Sequence, residues 1–127
     1  MVKGITKEIF YGTKEKPGLA QYVTADSDGA ININTAPKMV LRSLADGISV
    51  ELADKIDTYR RKDSSDLSST QWFLNMAGVT IKPEITVKSN YFKISSTGKM
   101  KNMEQSLSGV VKRSGQKSVQ IIKWRQD

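Results

Sequence analysis

The sequence predicts an α+β protein, with a helical part over residues 1–84 followed by a small antiparallel sheet over residues 85–127. Three observations predict it. Apolar residues recur at helical spacing on both sides of Asp46-Gly47. Beyond Pro83 the chain changes to runs rich in β-branched and aromatic residues. Within that region Ser114-Gly115-Gln116-Lys117 separates two such runs and reads as a hairpin turn.

Residues 5–18 predict a short helix or turn, then a Lys-rich loop ending at Pro17-Gly18. Residues 19–24 predict a strand, and Asp26-Ser27-Asp28-Gly29 a polar turn leading into residues 30–34. Thr35 is a suitable N-cap, and Pro37 in a first helical turn tolerates its missing N–H. Met39, Val40, Leu41 and Leu44 give that helix an apolar stripe, and Gly47 can adopt the left-handed backbone that would end it. Ser49 caps a second helix, with Glu51 and Asp54 near its positive end and Lys55, Arg60, Arg61 and Lys62 toward the other. Leu52, Ala53, Ile56 and Tyr59 recur on one side of it. After a polar loop over residues 64–69, Trp72, Phe73 and Met76 predict one more helical segment, stopped by Gly78. Antiparallel β structure is expected from about residue 85 to 125, a span that includes the string TGKMKN. Three strands leave one face and two edges to cover, which points to helices lying against the sheet.

At 127 residues the chain suits one domain, or one domain with a small neighbour. No apolar stretch approaches the roughly 20 residues that cross a bilayer, and no secretory signal opens the chain. Without cysteine there are no disulfides, no thiol catalysis and no cysteine-held zinc. Without histidine there is no imidazole base, no Ser-His pair and no ordinary transition-metal site. A Ser-Lys pair or two carboxylates could still do chemistry, but the 13 acids are scattered and mostly sit beside Lys or Arg. An enzyme is not expected.

The formal charge is +7, and its location decides what it means. Residues 1–36 and 37–67 each balance to zero, whereas residues 91–127 carry Lys93, Lys99, Lys101, Lys112, Arg113, Lys117, Lys123 and Arg125 against Glu104 and Asp127. The helical stretch is neutral and the excess lies in the last third. This bears on the string APKMVLRSLADGISVELADKI, which has the layout of a helix-hairpin-helix of the SAM-like kind. Such a corner, here Gly47-Ile48-Ser49, either packs two helices together or lets backbone N–H groups reach a phosphate. Asp46 and Glu51 put negative charge where a phosphate would dock, which favours packing.

The string GLAQYVTADSDGAININTAPKMVLRSLADGISVELADKIDTYR resembles the second half of the α-domain in the type II secretion minor pseudopilin K family. ITVKSNYFKISSTGKMKN, GVVKR and IIKWRQ are similar to that family's closing sheet, and VKGITKEIFYG resembles the segment before the α-domain. The ININTAP string is shared with competence-type helix-hairpin-helix DNA receptors; SNYFKI followed by a terminal KWR separates the two families. The resemblance implies a structural subunit with a pilin-type sheet, placed at the tip of a periplasmic pseudopilus with minor pseudopilins I and J. It also implies an N-terminal membrane helix in the inner membrane, and that helix, the prepilin cleavage site and the front of the α-domain are absent from this sequence. No nucleic-acid partner is then expected; the alternative is a DNA-binding module related to the competence receptors.

Four acids are candidate calcium ligands, because K pseudopilins can bind calcium: Asp26, Asp28, Asp63 and Asp66. Asp26-Ser27-Asp28-Gly29 looks like part of a calcium loop, but the twelfth position counted from Asp28 is Met39 rather than Glu. A plain turn is the simpler reading. Trp72, Phe73, Tyr91 and Trp124 are candidate partner contacts, with core packing the competing role for the first two. The basic strands around Lys112-Arg113 and Lys123-Trp124-Arg125 suit a solvated face better than stacked bases.

Overall fold

A computed structural model describes residues 2–126; Met1 and Asp127, at the two ends of the expected division, lie outside the described residues. The chain forms two compact units. One comprises residues 2–25 and 30–87, and the other residues 26–29 and 88–126.

The first unit is helical. Helix α1 (Lys7–Tyr11) starts at Thr6, whose hydroxyl accepts from the Ile9 amide at 3.2 Å. Residues 19–21 form a single 3₁₀ turn in place of the expected strand. Among the described residues no strand pairs there, and a run without a partner strand does not stay extended on propensity alone. Strand β1 (Ile31–Asn32) pairs in parallel with β2 (Ile85–Thr86). The expectation that residues 85–86 begin the antiparallel sheet is thereby corrected: the bond from Ile31 N to Glu84 O (2.9 Å) draws them to the helical unit.

Helix α2 (Lys38–Arg42) begins one residue after Pro37, so Pro37 is the cap itself and Thr35 is not. It is short because Ser43 already closes onto the carbonyls of Met39, Val40 and Leu41. Helix α3 (Val50–Arg60) is capped as its sequence predicts, with Ser49 Oγ accepting from Leu52 N at 3.1 Å. Helix α4 (Gln71–Ala77) ends at Gly78, whose φ of 63° is the left-handed region that glycine enters at least cost. Ile33, Leu41, Ile56 and Phe73 are fully buried between these elements, with Leu44, Ile48 and Trp72 around them. Tyr59 stacks on Trp72 at 5.5 Å between ring centroids, and Trp72 meets Phe73 edge-on at 5.8 Å.

The second unit is an antiparallel meander of β3 (Tyr91–Met100), β4 (Met103–Ser114) and β5 (Ser118–Gln126), in that spatial order. The β3–β4 pairing continues to Met100 opposite Met103, so TGKMKN is the tip of a regular hairpin that turns at Lys101 and Asn102. The β4–β5 turn falls at residues 115–117, within the hairpin signal. One extra residue, Ile122, is accommodated in β5 as a bulge opposite Val110 and Val111.

Candidate functional site

The helical corner is filled from within. Gly47 does not take the left-handed backbone expected of it. Its lack of a side chain serves another purpose: a Cβ there would sit 2.6 Å from Val79 Cγ1. Val79 closes the corner on one side, while Ile48 beside it is only 3% exposed. At the N-terminus of α3 the Ser49 hydroxyl takes the Leu52 amide. The Glu51 carboxyl is held below its ordinary pKa by its own backbone N–H and by Ser49. A phosphate approaching this point meets a carboxylate and amides already in use. Lys38 Nζ lies 2.6 Å from Asp54 Oδ1, which ties α2 to α3 and neutralises a cation that a backbone phosphate would need.

The ININTAP string is also turned inward. Asn34 Nδ2 donates to Leu67 O (3.0 Å) and Val87 O (3.3 Å), and Asn34 Oδ1 accepts from Trp72 Nε1 (3.2 Å). One side chain thus joins the loop before α4, the start of α4 and the segment after β2. Arg60 acts similarly on the preceding loop, donating from Nη1 to Ile33 O (3.0 Å) and Ala36 O (2.8 Å). Its charge is matched by Asp57, 2.6 Å from Nη2. The Asp57 carboxyl is held below its usual value by hydrogen bonds from Arg61 and then from Arg60, which outweigh the opposing effect of burial. These are scaffold interactions, and composition could not have shown them. The only sequence signals were Asn at the end of a strand and Arg three residues after Asp.

The sheet offers a different surface. Cross-strand register aligns Phe92, Val111 and Ile121 in one row and Ile94, Gly109 and Trp124 in the next, with Met100 opposite Met103 at the tip. All lie on one face. At Gly109 a Cβ would sit 3.3 Å from Trp124 Cβ, so the glycine keeps this row close. The other face carries Tyr91, Lys93, Ser95, Thr97 and Lys99 on β3 and Ser108, Val110 and Lys112 on β4. Among the described residues the unit has no buried side chain, and Ile94, Met100, Ile121 and Trp124 are more than half exposed. An apolar face of this extent in contact with water marks a surface that something else covers.

The candidate contact residues separate accordingly. Trp72 and Phe73 belong to the helical core. Trp124 is 71% exposed on the apolar face, and Tyr91 is on the opposite face with Lys112 Nζ 5.3 Å from its ring centroid. Arg113 lies 5.6 Å from the Phe92 ring and rims the apolar face. Calcium prefers six to eight oxygens, and among the described residues no three acidic side chains gather into a metal site. Asp26 instead lies 2.6 Å from Lys123 Nζ and Asp28 accepts from Asn90 Nδ2 at 3.1 Å. Asp66 accepts from Ser68 N at 3.0 Å, and Ser68 holds its carboxyl below the usual range.

A family model, that for type II secretion system (T2SS) protein K, matches residues 31–94, from β1 into β3. This is half of the chain. The chain belongs to the type II secretion system protein K family. No curated protein matches it, and no solved structure does. Protein K is a pseudopilin of the secretion machinery, a structural part of the cell envelope rather than an enzyme, and it works among other pseudopilus components. Among the described residues no helix is long and apolar enough to cross a membrane.

Proposed function

We propose that this chain is the part of protein K that sits at the tip of a periplasmic pseudopilus with minor pseudopilins I and J and helps start its assembly. The observation that carries this reading is the exposed apolar face formed by Phe92, Val111, Ile121, Ile94 and Trp124. A three-stranded sheet needs a covered apolar face to be stable. In the pilin-type arrangement an N-terminal helix, continuous with an inner-membrane anchor, covers that face and neighbouring subunits extend the cover. Helices α2 and α3 then act as a helix-hairpin-helix used for packing, in a helical part that runs to about residue 84, with the pilin-type sheet from residue 85.

The supporting chemistry is consistent. The helical corner is closed by Val79, and the basic excess lies on the sheet rather than beside Gly47. The test is co-purification of the 127-residue chain with soluble forms of I and J across ionic strengths. Retention at moderate salt is expected, because burial of apolar surface is weakly affected by screening. Failure to associate at every ionic strength would refute the assignment. Binding of duplex DNA that weakens steeply with salt would favour the DNA-receptor alternative instead.

A further inference from the structure

The hairpin of β3 and β4 runs on past the third strand. Strand β5 pairs with β4 only over residues 107–114, so among the described residues 103–106 have a neighbouring strand on one side alone. A two-stranded ribbon is marginal by itself and opens readily to solvent. Its turn consists of Lys101 and Asn102, and Lys101 takes a φ of 52° to close it. Met100 and Met103 are thereby held directly opposite each other, and side chains in that relation have Cβ atoms within about 5.5 Å. They are 70% and 72% exposed. The next pair back, Lys99 and Glu104, lies on the other face and is joined by an ion pair of 3.0 Å. The tip thus has an ionic side and a thioether side. Four of the five methionines lie among the described residues, and their settings differ. Met76 packs against the helical core. Met39 is 51% exposed, but its sulfur accepts from Arg42 Nη1 at 3.7 Å, which engages the electrons that an oxidant would take.

We propose that Met100 and Met103 are a paired modification site, both converted to methionine sulfoxide by peroxide-class oxidants ahead of the other described methionines. A sulfur lone pair attacks one oxygen of hydrogen peroxide. The S–O bond forms as the O–O bond breaks, and the departing oxygen leaves as water with both protons. The sulfur loses two electrons and the peroxide gains them. No thiol competes for the oxidant, because the chain has no cysteine. Each sulfoxide replaces a flexible apolar end with a dipole that keeps its water. Both products lie on the face that carries Ile94 and Trp124, so the modification makes the tip end of that face polar and leaves the helical core untouched. Sulfoxide reductases, one for each epimer, return the thioether, so the site can be reset. The modification belongs to the free chain, in which the tip is open to water, and it does not depend on which partner covers the sheet.

The test is limited treatment of the 127-residue chain with hydrogen peroxide, read by peptide mapping in a mass spectrometer and by hydrophobic-interaction chromatography. Met100 and Met103 should each gain one oxygen first, Met39 later and Met76 last. The oxidised chain should elute earlier, with the near-UV circular dichroism of the Tyr59–Trp72 stack unchanged. A pair of methionine sulfoxide reductases, one for each epimer, should restore the original retention. In Met100→Leu/Met103→Leu, a swap that conserves apolar volume, the same treatment should leave retention unchanged. Oxidation of Met39 or Met76 as fast as the tip pair would overturn the proposal. So would retention that oxidation of the tip does not move, or a shift that persists in the double leucine variant.

Discussion

Replacing Gly47 with alanine tests directly whether the helical corner is a packing joint. The added Cβ would sit 2.6 Å from Val79 Cγ1 and 3.5 Å from Val79 Cβ. Carbon atoms prefer separations of about 3.5–4.0 Å, so the nearer contact is short by roughly 1 Å. Val79 is β-branched, so its χ1 is restricted, and it packs against the core, so its methyl cannot swing away freely. Overpacking of this kind costs about 1–3 kcal/mol. The backbone at Gly47 has no positive φ, so no conformational strain adds to that figure, and the entropy lost from the unfolded chain returns about 0.4–1 kcal/mol. The net expectation is destabilisation of about 1–2 kcal/mol. For a unit of this size each kcal/mol lowers Tm by roughly 4–8 °C. Urea unfolding followed by near-UV circular dichroism of the Tyr59–Trp72 stack reads the loss. In the double variant Gly47→Ala/Val79→Ala the clash disappears, so the second substitution should cost less in the presence of the first than alone. A stabilised Gly47→Ala chain, or additive costs in the double variant, would refute the reasoning. A phosphate-binding corner would behave differently, with stability unchanged and salt-sensitive DNA binding lost.

Arg60→Leu should cost about 2–4 kcal/mol in urea unfolding, because it orphans two loop carbonyls and strips a partner from partly buried Asp57, whereas Arg61→Ala, at a side chain 72% exposed, should cost under about 1 kcal/mol. Asn34→Leu should cost about 2–3 kcal/mol and shift Trp72 fluorescence, since it removes the acceptor of the indole N–H and the donor to two carbonyls. The folded-state pKa of Asp57 lies below its unfolded value, so its stabilisation is present above the ordinary carboxylate range, near 3.9, and is lost as pH falls through the lower folded value. Acid titration of stability should accordingly show a downward step that Asp57→Asn removes.

The features legible in the sequence were those decided locally. Ser49 needs only its own next turn to act as a cap, Gly78 only its own φ to stop α4, and Gly115 only its own turn to close β4 onto β5. The misreadings involve residues far apart in the chain. Ile85 and Thr86 have the composition of an antiparallel strand, but their partners are Ile31 and Asn32, more than fifty positions earlier. Residues 19–21 have strand-forming neighbours yet lack a ladder to join. Gly47 looked like a conformational stop because glycine often is one; Val79, thirty-two positions away, is what requires it. At the candidate site the alternation of apolar and polar residues indicated a two-faced sheet, and the register then showed that Ile94, Gly109 and Trp124 share a row. The bonds made by Asn34 and Arg60 could not be foreseen, because each reaches carbonyls brought near only by the finished fold.

The absence of any buried side chain in the ribbon of β3, β4 and β5 has a thermodynamic consequence. The helices share a buried core, whereas the ribbon has none of its own. Its amides should therefore exchange with deuterium readily in the lone chain and slow down as a covering helix or subunit is added, by an amount set by mass action. For this third of the chain, stability depends on whatever covers the apolar face.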